Sequence, residues 1–201
     1  MCNNTFFPVY ENDNIIICEP ICQTGEEGKC LTCNETSNKC SSCNPFYNLI
    51  NGICEPNFSF KAIYYTNEKN QKIQLINPSY LEYAIEMAID NMTVSPQSTY
   101  IFPEEGNHTI YTLIDMSKLS SAEKMFYQNK EMTFISFSSK FKRTNITKID
   151  YMFAECSSLL SIDFSNFNTH NITSFNYMLH SCFSLTSINL INLDTINAEN
   201  M

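Results

Sequence analysis

The feature that most constrains this chain is that its C-terminal part nearly repeats itself every 26 residues. Residues 146–171, ITKIDYMFAECSSLLSIDFSNFNTHN, lie over 172–197, ITSFNYMLHSCFSLTSINLINLDTIN. Ile146 then meets Ile172, Met152 meets Met178 and Cys156 meets Cys182. Leu159 meets Leu185, Ile162 meets Ile188, Phe164 meets Leu190 and Phe167 meets Leu193. Upstream, MFYQNKEMTFISFSSKF (125–141) echoes the same unit with one extra residue, and LIDMSKL (113–119) echoes its SIDFSNF. Downstream, Asn200-Met201 restarts the unit, so the sequence is expected to stop inside a repeat. A unit this short cannot bury its apolar face alone, and stacked neighbours must supply a common core.

Within each unit, L-x-x-I-x-F alternates apolar positions beside β-branched residues and predicts a short strand. Ile172, Phe175, Met178 and Leu179 have helical spacing. One strand and one helical turn per 20–29 residues is the leucine-rich-repeat pattern. YMFAECSSLLSIDFSNFNTHNITSFNYMLHSCFSLTSINL resembles the BspA-type leucine-rich repeats over residues 110–201, the first two units least closely. That family occurs on surfaces of bacteria and protists and includes binders of host or matrix proteins, so the resemblance implies a recognition face on the outward side of the strands. Strand register places Asp115, Ser136, Asp163 and Asn189 in its central column. Ser117, Ser138, Ser165 and Ile191 flank it on one side, and Leu113, Phe134, Ser161 and Ser187 on the other. Cys156 and Cys182 occupy equivalent places, either as two buried thiols or as a disulfide between turns.

The first 54 residues hold eight of the ten cysteines: Cys2, Cys18, Cys22, Cys30, Cys33, Cys40, Cys43 and Cys54. So dense a set among few aliphatic residues reads as a disulfide framework, because such a segment cannot offset its chain entropy by burial alone. Zinc is the rival, through Cys30-x-x-Cys33 and Cys40-x-x-Cys43, but those pairs are closer together than in zinc ribbons and would leave four cysteines unexplained. The spacing, closed by NPFYNLINGIC, resembles a furin-like cysteine-rich repeat of growth-factor-receptor and R-spondin type over residues 2–54. That resemblance implies the bridges Cys22–Cys33, Cys30–Cys40 and Cys43–Cys54, with Cys2–Cys18 closing a preceding partial unit. Asn51-Gly52 suits the tight turn of the last hairpin.

Residues 58–112 contain no cysteine and read as β-rich. FSFKAIYY alternates, YLEYAIEMAID predicts a strand ending at an Asp-Asn turn, and TYIFPEEGNHTIYTLIDM predicts a hairpin around Gly106. Similar segments precede BspA-type arrays as a small β cap, which a solenoid needs to cover its first apolar end. The expected fold class is therefore mostly β or α+β in several parts. It has a furin-like module at 1–56, a small β cap at 57–112, and a truncated leucine-rich-repeat solenoid with a 26-residue period at 113–201.

A formal charge of −9 argues against nucleic-acid and anionic-membrane partners. No apolar run is long enough to span a bilayer, and no export signal opens the chain, so any signal or anchor is expected outside this sequence. His108, His170 and His180 lie near no nucleophile motif, and four scattered glycines make no phosphate-binding loop. Calcium through Asp163 and Asp194 stays open, although no loop of spaced carboxylates is present. Seven sequons, at Asn3, Asn34, Asn57, Asn91, Asn107, Asn145 and Asn171, accord with secretion in a chain rich in Asn, Ser and Thr. The expectation is a non-enzymatic extracellular or cell-surface protein without catalytic residues, metal or cofactor. It would bind an extracellular protein or glycan, or another copy through its repeats. The alternatives are a structural component of an extracellular coat or filament and the ectodomain of a signalling receptor.

Overall fold

The structure, a computed structural model, describes residues 6–11, 14–20, 30–33, 39–43, 46–50, 53–143 and 145–200. It divides into two units, Met1–Asn57 and Phe58–Met201. The first consists of antiparallel pairs: β1 (Phe6–Glu11) with β2 (Asn14–Pro20), β3 (Cys30–Cys33) with β4 (Cys40–Cys43), and β5 (Tyr47–Ile50) with β6 (Ile53–Pro56). Leu49, Ile50 and Ile53 stay exposed, so β5 and β6 bury little apolar area. Covalent links tie the later pairs together: Cys30–Cys40 joins β3 to β4 and Cys43–Cys54 joins β4 to β6, with Cα atoms 5.5 and 5.6 Å apart. The expected Cys2–Cys18 and Cys22–Cys33 bridges and the Asn51-Gly52 turn lie outside the described residues.

The second unit contains β7 (Phe60–Thr66), β8 (Gln71–Gln74), β9 (Ala84–Ile89), β10 (Met92–Val94), β11 (Thr99–Phe102), β12 (Gly106–Ile114), β13 (Met132–Phe137), β14 (Ser161–Asp163) and β15 (Ser187–Asn189). Seven of these make one mixed sheet in the order β10-β9-β12-β7-β13-β14-β15. Neighbours are antiparallel as far as β13 and parallel from β13 to β15. The alternation in FKAIYYT turns Phe60, Ala62 and Tyr64 inward, where Ile73 of the β8–β11 pair and Phe102 join the same core. Turns between the later strands complete this second layer, with Phe126 edge-on to Phe60 at 5.0 Å. Tyr64 keeps its hydroxyl satisfied by donating to Leu75 O at 2.7 Å and accepting from Asn129 Nδ2 at 3.0 Å.

The repeats form layers. Phe126 stacks on Phe153 (5.4 Å), Phe137 on Phe164 (5.8 Å) and Phe141 on Phe167 (5.1 Å). Main-chain bonds link the layers, such as Phe126 N to Met152 O (2.9 Å) and Phe153 N to Met178 O (3.0 Å). Each layer turns through two residues of positive φ: Lys124 and Gln128, Tyr151 and Glu155, Tyr177 and Ser181. The extra residue of the 125–141 unit falls between Phe137 and Phe141, where the chain enters a 3-10 helix, Ser139–Arg143.

This architecture corrects the expected fold class. The second unit is a mostly-β sandwich with mixed sheets, not a small β cap followed by a leucine-rich-repeat solenoid. The finding that overturns the solenoid is the sheet itself: β7 pairs antiparallel with both β12 and β13, so the expected cap supplies the middle of the sheet rather than one end of a stack. Residues 172–179, read as helically spaced, form an isolated parallel bridge at Ser174 and a turn from Asn176, and the described residues contain no α-helix, only the 3-10 helices Pro78–Tyr83 and Ser139–Arg143.

Two local expectations also change. The strand read through YLEYAIEMAID begins only at Ala84, because Pro78 opens a 3-10 helix that Asn77 caps by accepting from Ser79 N. Its Asp90-Asn91 turn has φ of 48° and 66°, the left-handed pair of a tight hairpin. The strands on either side of Gly106 do not pair with each other: β11 pairs with β8, and β12 with β7 and β9.

Candidate functional site

Alternation turns one side of the seven-stranded sheet away from the core. Register runs one row across it as Thr93, Ala88, Tyr111, Lys61, Ser136, Asp163 and Asn189. A second row runs Thr109, Ile63, Phe134, Ser161 and Ser187. Over β12, β7 and β13 this face is aromatic and cationic. Lys61 Nζ lies 5.8 Å above the Tyr111 ring, and Phe58 meets the same ring edge-on at 5.1 Å. Ile63 and Phe134 are half-buried beside them. Over β14 and β15 it is polar, with Asn189 Nδ2 donating to Asp163 Oδ1 at 3.1 Å.

The sequence-derived column is thus partly assembled. Ser136, Asp163 and Asn189 share a row, and Phe134, Ser161 and Ser187 share the next. Asp115 is not in the column, because β7 separates β12 from β13 and Lys61 stands beside Ser136. It closes a turn after β12 instead, accepting from Ser117 Oγ (2.6 Å) and Lys118 Nζ (3.0 Å), and those bonds hold its carboxyl below the usual range. Leu113 lies opposite Glu86 on β9. Ser138 is buried, donating to Phe58 O at 2.5 Å. Ser165 is half-buried and Ile191 exposed, each donating its N–H to the side chain two residues back, Asp163 and Asn189. Sequence reasoning missed Lys61, Ile63, Tyr65 and Tyr111, although the alternation of FSFKAIYY carried the signal for the first three.

At the Tyr65 end of β7 the face continues into an open groove of about 560 Å³. Tyr65 sits opposite Asn107 of β12, and Thr133, Leu160 and the 157–158 turn form the far side. Tyr65 and Leu160 are half exposed.

Other candidates resolve differently. His108 Nδ1 lies 2.7 Å from Asp90 Oδ2, and its Nε2 is 3.1 Å from both Thr66 Oγ1 and Glu104 O. An Asp–His–hydroxyl relay is nucleophile geometry. Thr66, however, is fully buried with its hydroxyl against Glu104 O and Gly106 O, leaving no approach for a substrate. The group ties the turn after β9 to β12. Asp163 and Asp194 serve different turns, Asp163 that of Ser165 and Asp194 that of Ile196, where His170 Nδ1 lies 2.9 Å away and lowers the Asp194 pKa. Cys156 and Cys182 are free thiols, donating to Phe126 O and Phe153 O at 3.1 Å each. Burial raises both pKa values. The sulfurs of Cys30, Cys40 and Cys54 lie within 4.8 Å of one another, all three in disulfides. Asn91, Asn107, Asn145 and Asn171 are exposed and Asn57 half-buried; Asn3 and Asn34 lie outside the described residues.

No curated protein and no solved structure matches this chain. A family model does match, over residues 99–201. It overlaps the stretch similar to BspA-type repeats and is compatible with that resemblance and with a surface location, as are the disulfides. No family match covers the cysteine-rich residues 2–54. The matched segment takes in just over half of the sequence, and the chain belongs to the family described as "Mycoplasma protein of unknown function, DUF285".

Proposed function

We propose that this chain is a non-enzymatic recognition protein of a cell surface or extracellular space, binding a protein or glycan through the outer face of its seven-stranded sheet. The observation that carries the reading is the cluster of Tyr111, Lys61, Ile63 and Phe134 on that face. Aromatic side chains such as Tyr grouped on an accessible surface are residues on which binding energy concentrates, and Lys61 holds its charge over one of them. The reading requires no cofactor, and among the described residues no helix is long and apolar enough to cross a membrane.

The decisive experiment measures binding of the purified chain to intact cells and extracellular matrix, comparing Lys61→Glu and Tyr111→Ala with the parent. Each substitution is expected to weaken binding at least tenfold while the folded protein keeps its thermal transition. A second reading, a structural spacer in a coat, is favoured by the polar part of the face. There Asp163 and Asn189 are occupied by each other and by their own turns. If Lys61→Glu, Tyr111→Ala, Asp163→Arg and Asn189→Arg all leave binding unchanged, the spacer reading stands and the recognition face is withdrawn.

A further inference from the structure

We infer that the groove at the Tyr65 end of the sheet is a subsite for a neutral saccharide; this deepens, and rests on, the recognition reading above. Its volume of about 560 Å³ lies within the range of small-ligand sites and suits two or three sugar rings. The lining has the two-sided chemistry of a pyranose. A sugar ring presents a patch of C–H groups on one face and hydroxyls around its rim. Tyr65, 51% exposed, and Leu160, 48% exposed, offer apolar surface for the first. The amides of Asn67 and Asn107 and the hydroxyls of Ser157 and Ser158 make no side-chain hydrogen bond among the described residues, leaving donors and acceptors for the second.

Charge narrows the ligand further. Among the described residues, Lys130 and Glu131 are the only charged ones lining the groove, and they are opposite in sign. A phosphate or sulfate would meet one cation and one carboxylate, so an uncharged ligand fits best. The main chain under Tyr65 is held in place, because its N–H donates to Glu131 O at 2.9 Å and its strand neighbours Tyr64 and Thr66 are buried.

The test uses the full chain made in a host without N-glycosylation, so that the Asn107 sequon in the groove stays unmodified. Saturation-transfer NMR is recorded with chitotriose, mannotriose and N-acetyllactosamine as separate probes. At least one probe is expected to receive saturation, strongest on the protons of one ring face. Tyr65→Ala should cut that transfer at least fivefold, Tyr65→Phe should preserve it, and Glu199→Gln, at an exposed residue outside the groove lining, should leave it unchanged. Absence of transfer from all three probes, or equal transfer in a folded Tyr65→Ala protein, overturns the inference. If saccharide transfer fails while Lys61→Glu still abolishes surface binding, the groove is lost and the recognition face remains. Transfer that depends on Tyr65, with surface binding indifferent to Lys61 and Tyr111, removes the face and keeps the groove.

Discussion

Cys156 and Tyr64 show how single side chains set the chemical behaviour of this core. Cys156 is fully buried, and burial followed by the neighbouring Cys182 raises its pKa above the ordinary thiol value of 9.0. Burial likewise pushes Tyr64 well above 10.0 and lifts Tyr80, beside Glu123, to about 12. The folded protein thus holds these protons more tightly than the unfolded chain. Their contribution to stability is complete below about pH 9 and is lost as pH rises through the folded values. Denaturant midpoints measured from pH 7 to 11 should stay flat at first and fall beyond pH 9; a rising midpoint in that window would contradict the assignment. Because the thiolate is the reactive species, iodoacetamide at pH 8 should leave Cys156 unlabelled in the native protein and label it on unfolding. Peptide mapping reads that outcome directly.

At the scale of elements, the repeat layers are held by stacked rings and by turns of unusual backbone. Emptying one layer is costly: Ile162→Ala should destabilise by about 2–5 kcal/mol and Phe153→Ala by about 3–5 kcal/mol in chemical denaturation. The left-handed positions give a sharper test. Ser181 has φ 59°, so Ser181→Gly should change stability by less than about 1 kcal/mol, whereas Ser181→Val should lose about 1–2 kcal/mol. Equal effects from the two would disprove the turn geometry. These layers were readable in advance where they repeat. The offset of Ile162 and Ile188 placed them opposite each other on parallel strands, and it aligned Ser136, Asp163 and Asn189. What could not be read was strand order. Nothing local in FKAIYYT says that its neighbours will be residues 106–114 on one side and 132–137 on the other. That pairing displaced Asp115 from the face and brought in Lys61 and Tyr111. Likewise PEEG carries hairpin chemistry, yet β11 and β12 join different sheets, because Phe102 and Ile110 bury in separate layers of one core.

On the whole-molecule scale, the sheet is unevenly finished. Both edge strands, β10 and β15, are three residues long and unpaired on their outer side among the described residues, but the most exposed large hydrophobics lie by β15. Around it Phe183, Ile191 and Ile196 are 85%, 79% and 78% exposed. Open edges with apolar surroundings template further pairing. The purified chain is therefore expected to self-associate, with a sedimentation coefficient rising with concentration, and Phe183→Glu with Ile191→Lys should abolish that rise. A concentration-independent monomer in the parent protein would refute the expectation. The position of β7 has a different consequence, in time rather than space. It leaves the ribosome before either of its neighbours, and just ahead of it the Phe58 carbonyl accepts from the Ser138 hydroxyl across 80 residues of chain. At about 5–20 residues per second, roughly 4–16 s pass before that contact can form. During synthesis the most central strand of the sheet is thus an orphan until the repeats that complete it arrive. Folding of the second unit must be slow to commit and late to protect its own middle, so the rate at which residues 106–137 emerge governs how long FKAIYYT is open to wrong partners.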